Sequence, residues 1–309
     1  MKPPGRRNLA ASVAARLRET SRRTGDDYQI LLGAYFCERF LYRLSQSPVN
    51  GRFVLKGAML LRMWADRPYR ATRDLDLLRR GERAAESIRS DLETICRTEV
   101  APDGIAFDPR SIRLEAIRRE DEYAGTRARL LATCGSIRMT LQVDVGVGDA
   151  VWPPPESRVY PALLDLPTAP VLAYGPEAVV AEKLEAMVVL GQRNSRIRDF
   201  FDVHHLAEHR GFEGAILLES IRRTFERRGT PIPTEEPIAL TSAYWDDPAR
   251  EVQIRAFARR SGIRVSPDVA RDVLRVLRTF LLPVLFEIGR GGRELESWPP
   301  GGPWRRMGD

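Results

Sequence analysis

Asp74 and Asp76 are separated by one apolar residue, Leu75, near the end of the stretch FVLKGAMLLRMWADRPYRATRDLDLL at residues 53–78. On a strand, side chains two apart share a face, so both carboxylates stand on one side, roughly 7 Å apart along the backbone. Upstream, a short apolar run ends in Lys56-Gly57, an apolar helical segment follows, and Pro68 marks a turn. A glycine that opens a helix lets backbone N–H groups approach a phosphate. A carboxylate pair beside it can hold Mg²⁺ together with the phosphates bound to that ion. The bland alternatives are a tight turn at Gly57 and a solvated strand end between Arg73 and Arg79.

Other residues could join this chemistry. Asp144 lies in QVDVGVGD and alternates with apolar Val143 and Val145, whereas Asp149 follows Gly148 and reads as loop. Lys183, in AVVAEKLEAMVVL, has Val179, Val180, Met187 and Leu190 around it at helical spacing. An ammonium inside an apolar stripe either snorkels to solvent or meets a partner. On the stripe reading, Lys183→Met makes the stripe continuous and keeps or raises the melting temperature. In RIRDFFDVHHLAEH, Asp199 and Asp202 share a face with Leu206. If residues 191–195 turn between two helices, Lys183 and Asp199 stand side by side. His204 and His205 have no carboxylate at ligand spacing and read as structural.

The elements that must carry these side chains follow from periodicity. Residues 8–24 and 27–46 read as helices, 53–56 as a strand, 58–64 as a helix and 72–78 as a second strand. A helix over 82–98 precedes strands at 111–119, 126–133 and 136–147, and 159–172 is short and extended. Beyond Gly175-Pro176 the pattern is helical at 177–190, 196–208, 214–228, 248–261 and 267–289. The expected organisation is N-terminal helices (1–48) packed on an α/β core with a mixed sheet (49–173), then an α-helical domain (174–289) carrying the Lys and Asp motifs. Residues 290–309, rich in Gly, Pro and Arg, read as a flexible tail despite Trp298 and Trp304. A doubly wound dinucleotide fold would alternate strand and helix throughout, and the chain has neither G-x-G-x-x-G nor a P-loop sequence.

The chain has 309 residues, a net charge of +7 and 43% hydrophobic residues, enough for a real core and favourable to a polyanionic partner. Of its 49 basic residues three are lysine, and the two internal ones, Lys56 and Lys183, both fall in the motifs above. Cys37, Cys96 and Cys134 match no zinc spacing and read as buried thiols in a reducing cytoplasm. No apolar run is long enough to span a bilayer, so a cytoplasmic protein without membrane attachment is expected.

Lys-Gly, a helix, then Arg-Asp-x-Asp-Leu resembles the signature of the DNA polymerase beta-like nucleotidyltransferase superfamily. More narrowly it is similar to the AbiEii/AbiGii group of toxin–antitoxin and phage-defence nucleotidyltransferases, which includes the MenT toxins. The likeness spans roughly residues 50–210, with Glu182-Lys183-Leu184 and Arg198, Asp199, Asp202 and Leu206 matching further motifs. It implies a Mg²⁺-dependent enzyme that transfers a nucleoside monophosphate from a nucleoside triphosphate, with a tRNA 3′ end as acceptor, translation blocked, and a cognate antitoxin protein as partner. By the same likeness Asp74, Asp76 and Asp144 hold metal, with Asp144 alternatively the general base. Lys56, Gly57, Ala58 and Lys183 bind the nucleotide, and Asp199 serves with Lys183. Ala58 departs from the Ser, Thr or Gly usual there. Thr72 matches a serine that is phosphorylated in a MenT relative. Arg70, Arg73, Arg79, Arg80, Arg193, Arg196 and Arg198 supply basic surface for RNA, with Arg67 beside them. Other implied possibilities are transfer to a protein or small-molecule hydroxyl, and a non-catalytic nucleotide- or RNA-binding module.

Overall fold

The computed structural model describes residues 5–64, 72, 74–82, 84–117, 125–148, 151–261, 266–292 and 294–306. Arg67, the Pro68 turn, Arg70, Arg73 and Asp149 lie outside the described residues. The chain divides into two compact units, Met1–Gly148 with Glu156–Ala173, and Asp149–Pro155 with Tyr174–Asp309.

The first unit is α/β. Helices α1 (Gly5–Thr24) and α2 (Tyr28–Gln46) lead into β1 (Phe53–Lys56), α3 (Leu61–Trp64), β2 (Asp74–Arg79) and α4 (Ala85–Arg97). Strands β3 (Ala106–Ile117), β4 (Gly125–Cys134), β5 (Ile137–Val147), β6 (Glu156–Tyr160) and β7 (Ala169–Ala173) complete it. Asp27 starts α2 by accepting the N–H groups of Gln29 (2.8 Å) and Ile30 (3.1 Å), donors a helix leaves unpaired at its first turn. The seven strands form one sheet in the order β3-β4-β5-β2-β1-β7-β6. β2 runs parallel to β5 and β1 parallel to β7, and the other neighbours are antiparallel, so the sheet is mixed.

Period-two alternation gives this sheet two unlike faces. Leu75 and Leu77 of β2, Val143 and Val145 of β5, and Ala128 and Leu130 of β4 are buried and in register. They belong to the core with Leu32, Tyr35, Phe36, Phe40 and Leu41 of α2. The intervening residues, Asp74 and Asp76, Gln142 and Asp144, Arg127 and Arg129, are half-buried and face the other way. A one-residue slip of β2 against β5 would bury both aspartates, so the apolar pattern is what holds the carboxylates in place.

The expected helix over 58–64 is instead a 3₁₀ turn, Gly57–Leu60, followed by the single α-turn α3. β3 begins five residues before its expected start, because Phe107 and Ile112 are buried along an irregular edge pairing.

The second unit holds α5 (Pro176–Leu190), α6 (Ile197–His209), β8 (Phe212–Glu213), α7 (Gly214–Arg227), α8 (Ser242–Trp245), α9 (Pro248–Ser261), α10 (Pro267–Arg290), β9 (Leu295–Trp298) and β10 (Arg305–Arg306). Within residues 290–309, read from the sequence as a flexible tail, the described residues carry β9 and β10. β9 lies between β10 and β8 in a three-stranded sheet. Trp298 is 2% exposed, its indole N–H donates to the Ala207 carbonyl at 2.8 Å, and its ring meets Phe280 and Trp304. Aromatic burial overrides the Gly/Pro composition. Trp298→Ala is expected to lower unfolding stability by about 3–5 kcal/mol. An unchanged urea midpoint would return the segment to a tail.

Candidate active site

A row of charged residues crosses four neighbouring strands on the half-buried face. In register from β4 to β1 it reads Arg127, Asp144, Asp76, Lys56. Register partners point to the same side of a sheet, so two adjacent carboxylates are flanked by a cation at each end. Asp74 stands one step along, opposite Gln142. Two carboxylates from β2 and one from β5 therefore share a face, as the spacing in the sequence implies.

Gly57 belongs to this row for a steric reason. Its φ is +72°, and a Cβ built there would lie 2.1 Å from Asp76 Oδ2 and 2.8 Å from Asp76 Cβ. The turn thus presses its backbone against the Asp76 carboxylate, an approach only glycine permits. Lys56 is extended, and Ala58 continues the 3₁₀ turn without a side-chain hydroxyl. Thr72 is half-buried, and its hydroxyl donates to the Asp74 carbonyl at 3.3 Å.

Arg127 is the residue that sequence reasoning missed. Its Nε and Nη2 donate to Asp144 Oδ1 and Oδ2 at 2.8 and 2.7 Å, a fork on both oxygens. Gln142 adds an N–H at 3.4 Å. Among the described residues, no three His, Cys, Asp or Glu side chains gather into a ready metal cluster. Magnesium is commonly held by one or two carboxylates with the rest of its shell supplied by water and substrate phosphate. Asp74 and Asp76 fit that need in donor type and shared face. Their charge also reaches Cys37 behind them, whose thiol is pushed up to about 12 by burial and then by Asp74 and Asp76. All three cysteines are buried, and none forms a disulfide.

In the second unit, α5 and α6 bring Lys183 to Asp199. Lys183 Nζ lies 2.5 Å from Asp199 Oδ1 and 2.8 Å from Asp202 Oδ2. The lysine is 9% exposed, Asp199 2% and Asp202 fully buried. The side chain therefore does not snorkel. Arg196 Nε, 2.5 Å from Asp199 Oδ2, brings a second cation to the group. Burial raises the Asp199 carboxyl, but Lys183 and then Arg196 outweigh it and hold the net pKa below the usual range.

The arginines set aside for RNA divide. Arg79 does not belong among them: it shares the core face with Leu75 and Leu77, is 3% exposed and is ion-paired to Asp91 at 2.8 Å. Arg196 is turned onto Asp199. Arg80, Arg193 and Arg198 are exposed.

His204 and His205 join no metal cluster among the described residues. Burial pushes both down, His205 to about 4. At His205 the unfolded chain then takes up a proton below about pH 6.5 that the folded chain refuses until about pH 4. This stability is present above pH 6.5 and lost as pH falls toward 4. Asp199, depressed when folded, loses its contribution only as pH drops further, through its own folded value. The urea midpoint should fall between pH 7 and 4.5, and His205→Gln should flatten that fall. A variant as pH-sensitive as the parent would remove His205 from the account.

No described helix is long and apolar enough to cross a membrane. No curated protein matches the chain. Among solved structures, Helicobacter pylori JHP933 is similar at 17% identity and a TM-score of 0.49, over 86% of this chain and 95% of that one. A second Helicobacter pylori chain, a candidate nucleotidyltransferase, aligns at 16% identity and a TM-score of 0.45, over 87% of this chain and all of the other. The family described as "Nucleotidyl transferase AbiEii toxin, Type IV TA system" matches residues 39–275, a span that holds the carboxylate row, the Gly57 turn and the lysine with its two aspartates. The chain belongs to the AbiEii family of nucleotidyltransferase toxins of type IV toxin–antitoxin systems.

Proposed function

We propose that the chain transfers a nucleoside monophosphate from a nucleoside triphosphate to the 3′ end of tRNA, blocking translation, in a reaction that needs Mg²⁺. The observation that carries this reading is the register of Asp74, Asp76 and Asp144 on one sheet face, with the Gly57 turn pressed against Asp76. Asp74 and Asp76 would hold the magnesium. When bound, the ion would stabilise charge on the attacking and leaving oxygens. Gly57 keeps side-chain bulk away from the face, so backbone N–H groups can approach phosphate. In the transfer, the acceptor hydroxyl oxygen bonds to the α-phosphorus, the α–β bridging bond breaks, pyrophosphate leaves and the hydroxyl proton passes to a base. Lys56, Ala58, Lys183 and Asp199 are the remaining residues proposed for nucleotide binding and transfer. Arg80, Arg193 and Arg198, with Arg70 and Arg73, are proposed for RNA. Binding through them should weaken steeply with salt, which a small-molecule acceptor would not show.

An antitoxin protein is the proposed partner. Phosphorylation of Thr72 would break its hydrogen bond to Asp74 and set about two negative charges beside the carboxylates, opposing a bound metal. A Thr72→Glu variant with unchanged transfer would remove that route of control.

The test is purified protein with Mg²⁺, total tRNA and each nucleoside triphosphate in turn, labelled on the α-phosphate. Label on RNA is the expected result and names the nucleotide. Label on protein or a small hydroxyl compound would keep the chemistry and replace the acceptor. Nucleotide bound without transfer would make the chain a binding module.

A further inference from the structure

We propose that Arg127 is a positioning residue of the carboxylate face: its guanidinium clasps Asp144 and keeps that carboxylate from joining Asp74 and Asp76 around a divalent ion. The inference rests on the metal-dependent transfer proposed above and deepens it, by saying how many carboxylates the ion-free face offers.

Three observations support it. The clasp is a fork in which each guanidinium nitrogen takes a different oxygen of Asp144, and Gln142 adds a further donor. Both oxygens of Asp144 thereby accept N–H donors. Second, Arg127 is not drawn away by its other neighbour. Its cross-strand partner on β3 is Glu115, but Glu115 pairs with Arg129 at 2.5 Å. Third, the clasp stands in the row that ends at Lys56, so Asp76 and Asp144 together face one cation at each end. A surface ion pair with 34% and 17% of its side chains exposed is worth little as a fold contact. Its consequence for a divalent ion is larger, because a fixed positive charge beside the site repels the ion and occupies a ligand's oxygens. With Arg127 in place the face is a two-carboxylate site. Without it the face becomes a three-carboxylate site with one more negative charge.

The test uses the full chain without nucleotide or acceptor, titrated with Mn²⁺ and read by the electron paramagnetic resonance of free ion. Asp76→Asn should lose binding, whereas Asp144→Asn, which leaves Arg127 uncompensated beside the site, should weaken it by about tenfold and no more. Arg127→Gln should bind at least about tenfold more tightly, since a repelling charge is gone and a carboxylate is freed. Arg127→Gln combined with Asp144→Asn should fall back to the wild-type affinity. Arg127→Lys keeps the charge without the fork and should lie between, and it decides the matter if Arg127→Gln fails to fold. Asp144→Asn weakening Mn²⁺ as much as Asp76→Asn would overturn the proposal, because Asp144 would already be a ligand. So would Arg127→Gln binding no better than wild type, or no Mn²⁺ binding by either. Tighter binding by Arg127→Gln in a chain that transfers no nucleotide would leave the clasp standing and refute the reaction instead.

Discussion

Replacing Lys183 with methionine is expected to lower unfolding stability by about 3–5 kcal/mol, the cost of leaving buried charge without its partner. The sequence alone points the other way, since methionine completes the apolar stripe of Val179, Val180, Met187 and Leu190. The structure reverses that expectation. Nζ of Lys183 is shared by Asp199 and Asp202, both almost wholly buried. Without the ammonium, Asp199 keeps Arg196 but Asp202 loses its ion pair with Lys183, and desolvation then pushes the buried carboxylates toward taking a proton. The gain from a continuous stripe, about the burial of one side chain, is smaller than that penalty. Lys183→Arg should keep much of the stability because it keeps the charge. Urea unfolding of the three proteins decides the question, and a Lys183→Met midpoint at or above wild type would restore the apolar-stripe account.

The second large effect is at Gly57. Alanine there meets two costs. A positive φ costs an L-residue roughly 1–2 kcal/mol, and the new Cβ would lie 2.1 Å from Asp76 Oδ2. Rotating the carboxylate removes only part of the collision, because Asp76 Cβ is also within 2.8 Å. Strand β2 must give way, and with it the register of Asp76 against Asp144. Gly57→Ala should therefore lose about 2–4 kcal/mol of stability and nearly all transfer activity. Asp76→Gly in the same chain should restore much of the lost stability but no activity. An alanine variant with a normal melting temperature would show that the turn has room, and that Gly57 is not fitted to Asp76.

What could be read from the sequence follows physical reach. The carboxylate face was legible because period-two alternation is local: Leu75, Leu77, Val143 and Val145 dictate which way Asp74, Asp76 and Asp144 point. The Lys183–Asp199 pairing was legible because one short turn joins two helices of known pitch. Arg127 was not, since its place opposite Asp144 depends on the register of the β4–β5 pair. Arg79 was misread although its parity with Leu75 and Leu77 was visible. A basic residue at a strand end passes for surface until its partner Asp91 on α4 is known. The β8–β9 pair joins Phe212 to Trp298, too far apart and too short for any periodicity to reveal.

The central claim is that the Asp74 and Asp76 carboxylates carry a metal-dependent nucleotide transfer. The most direct measurement is transfer of α-labelled nucleotide to total tRNA, with and without Mg²⁺, by wild type and Asp76→Asn side by side. The account predicts label on RNA only with Mg²⁺, and a loss on the order of a thousandfold or more in the variant. The variant's unfolding midpoint should stay near wild type, since Asp76 is half-buried at the face and outside the apolar core. Undiminished transfer by a folded Asp76→Asn protein would contradict the account.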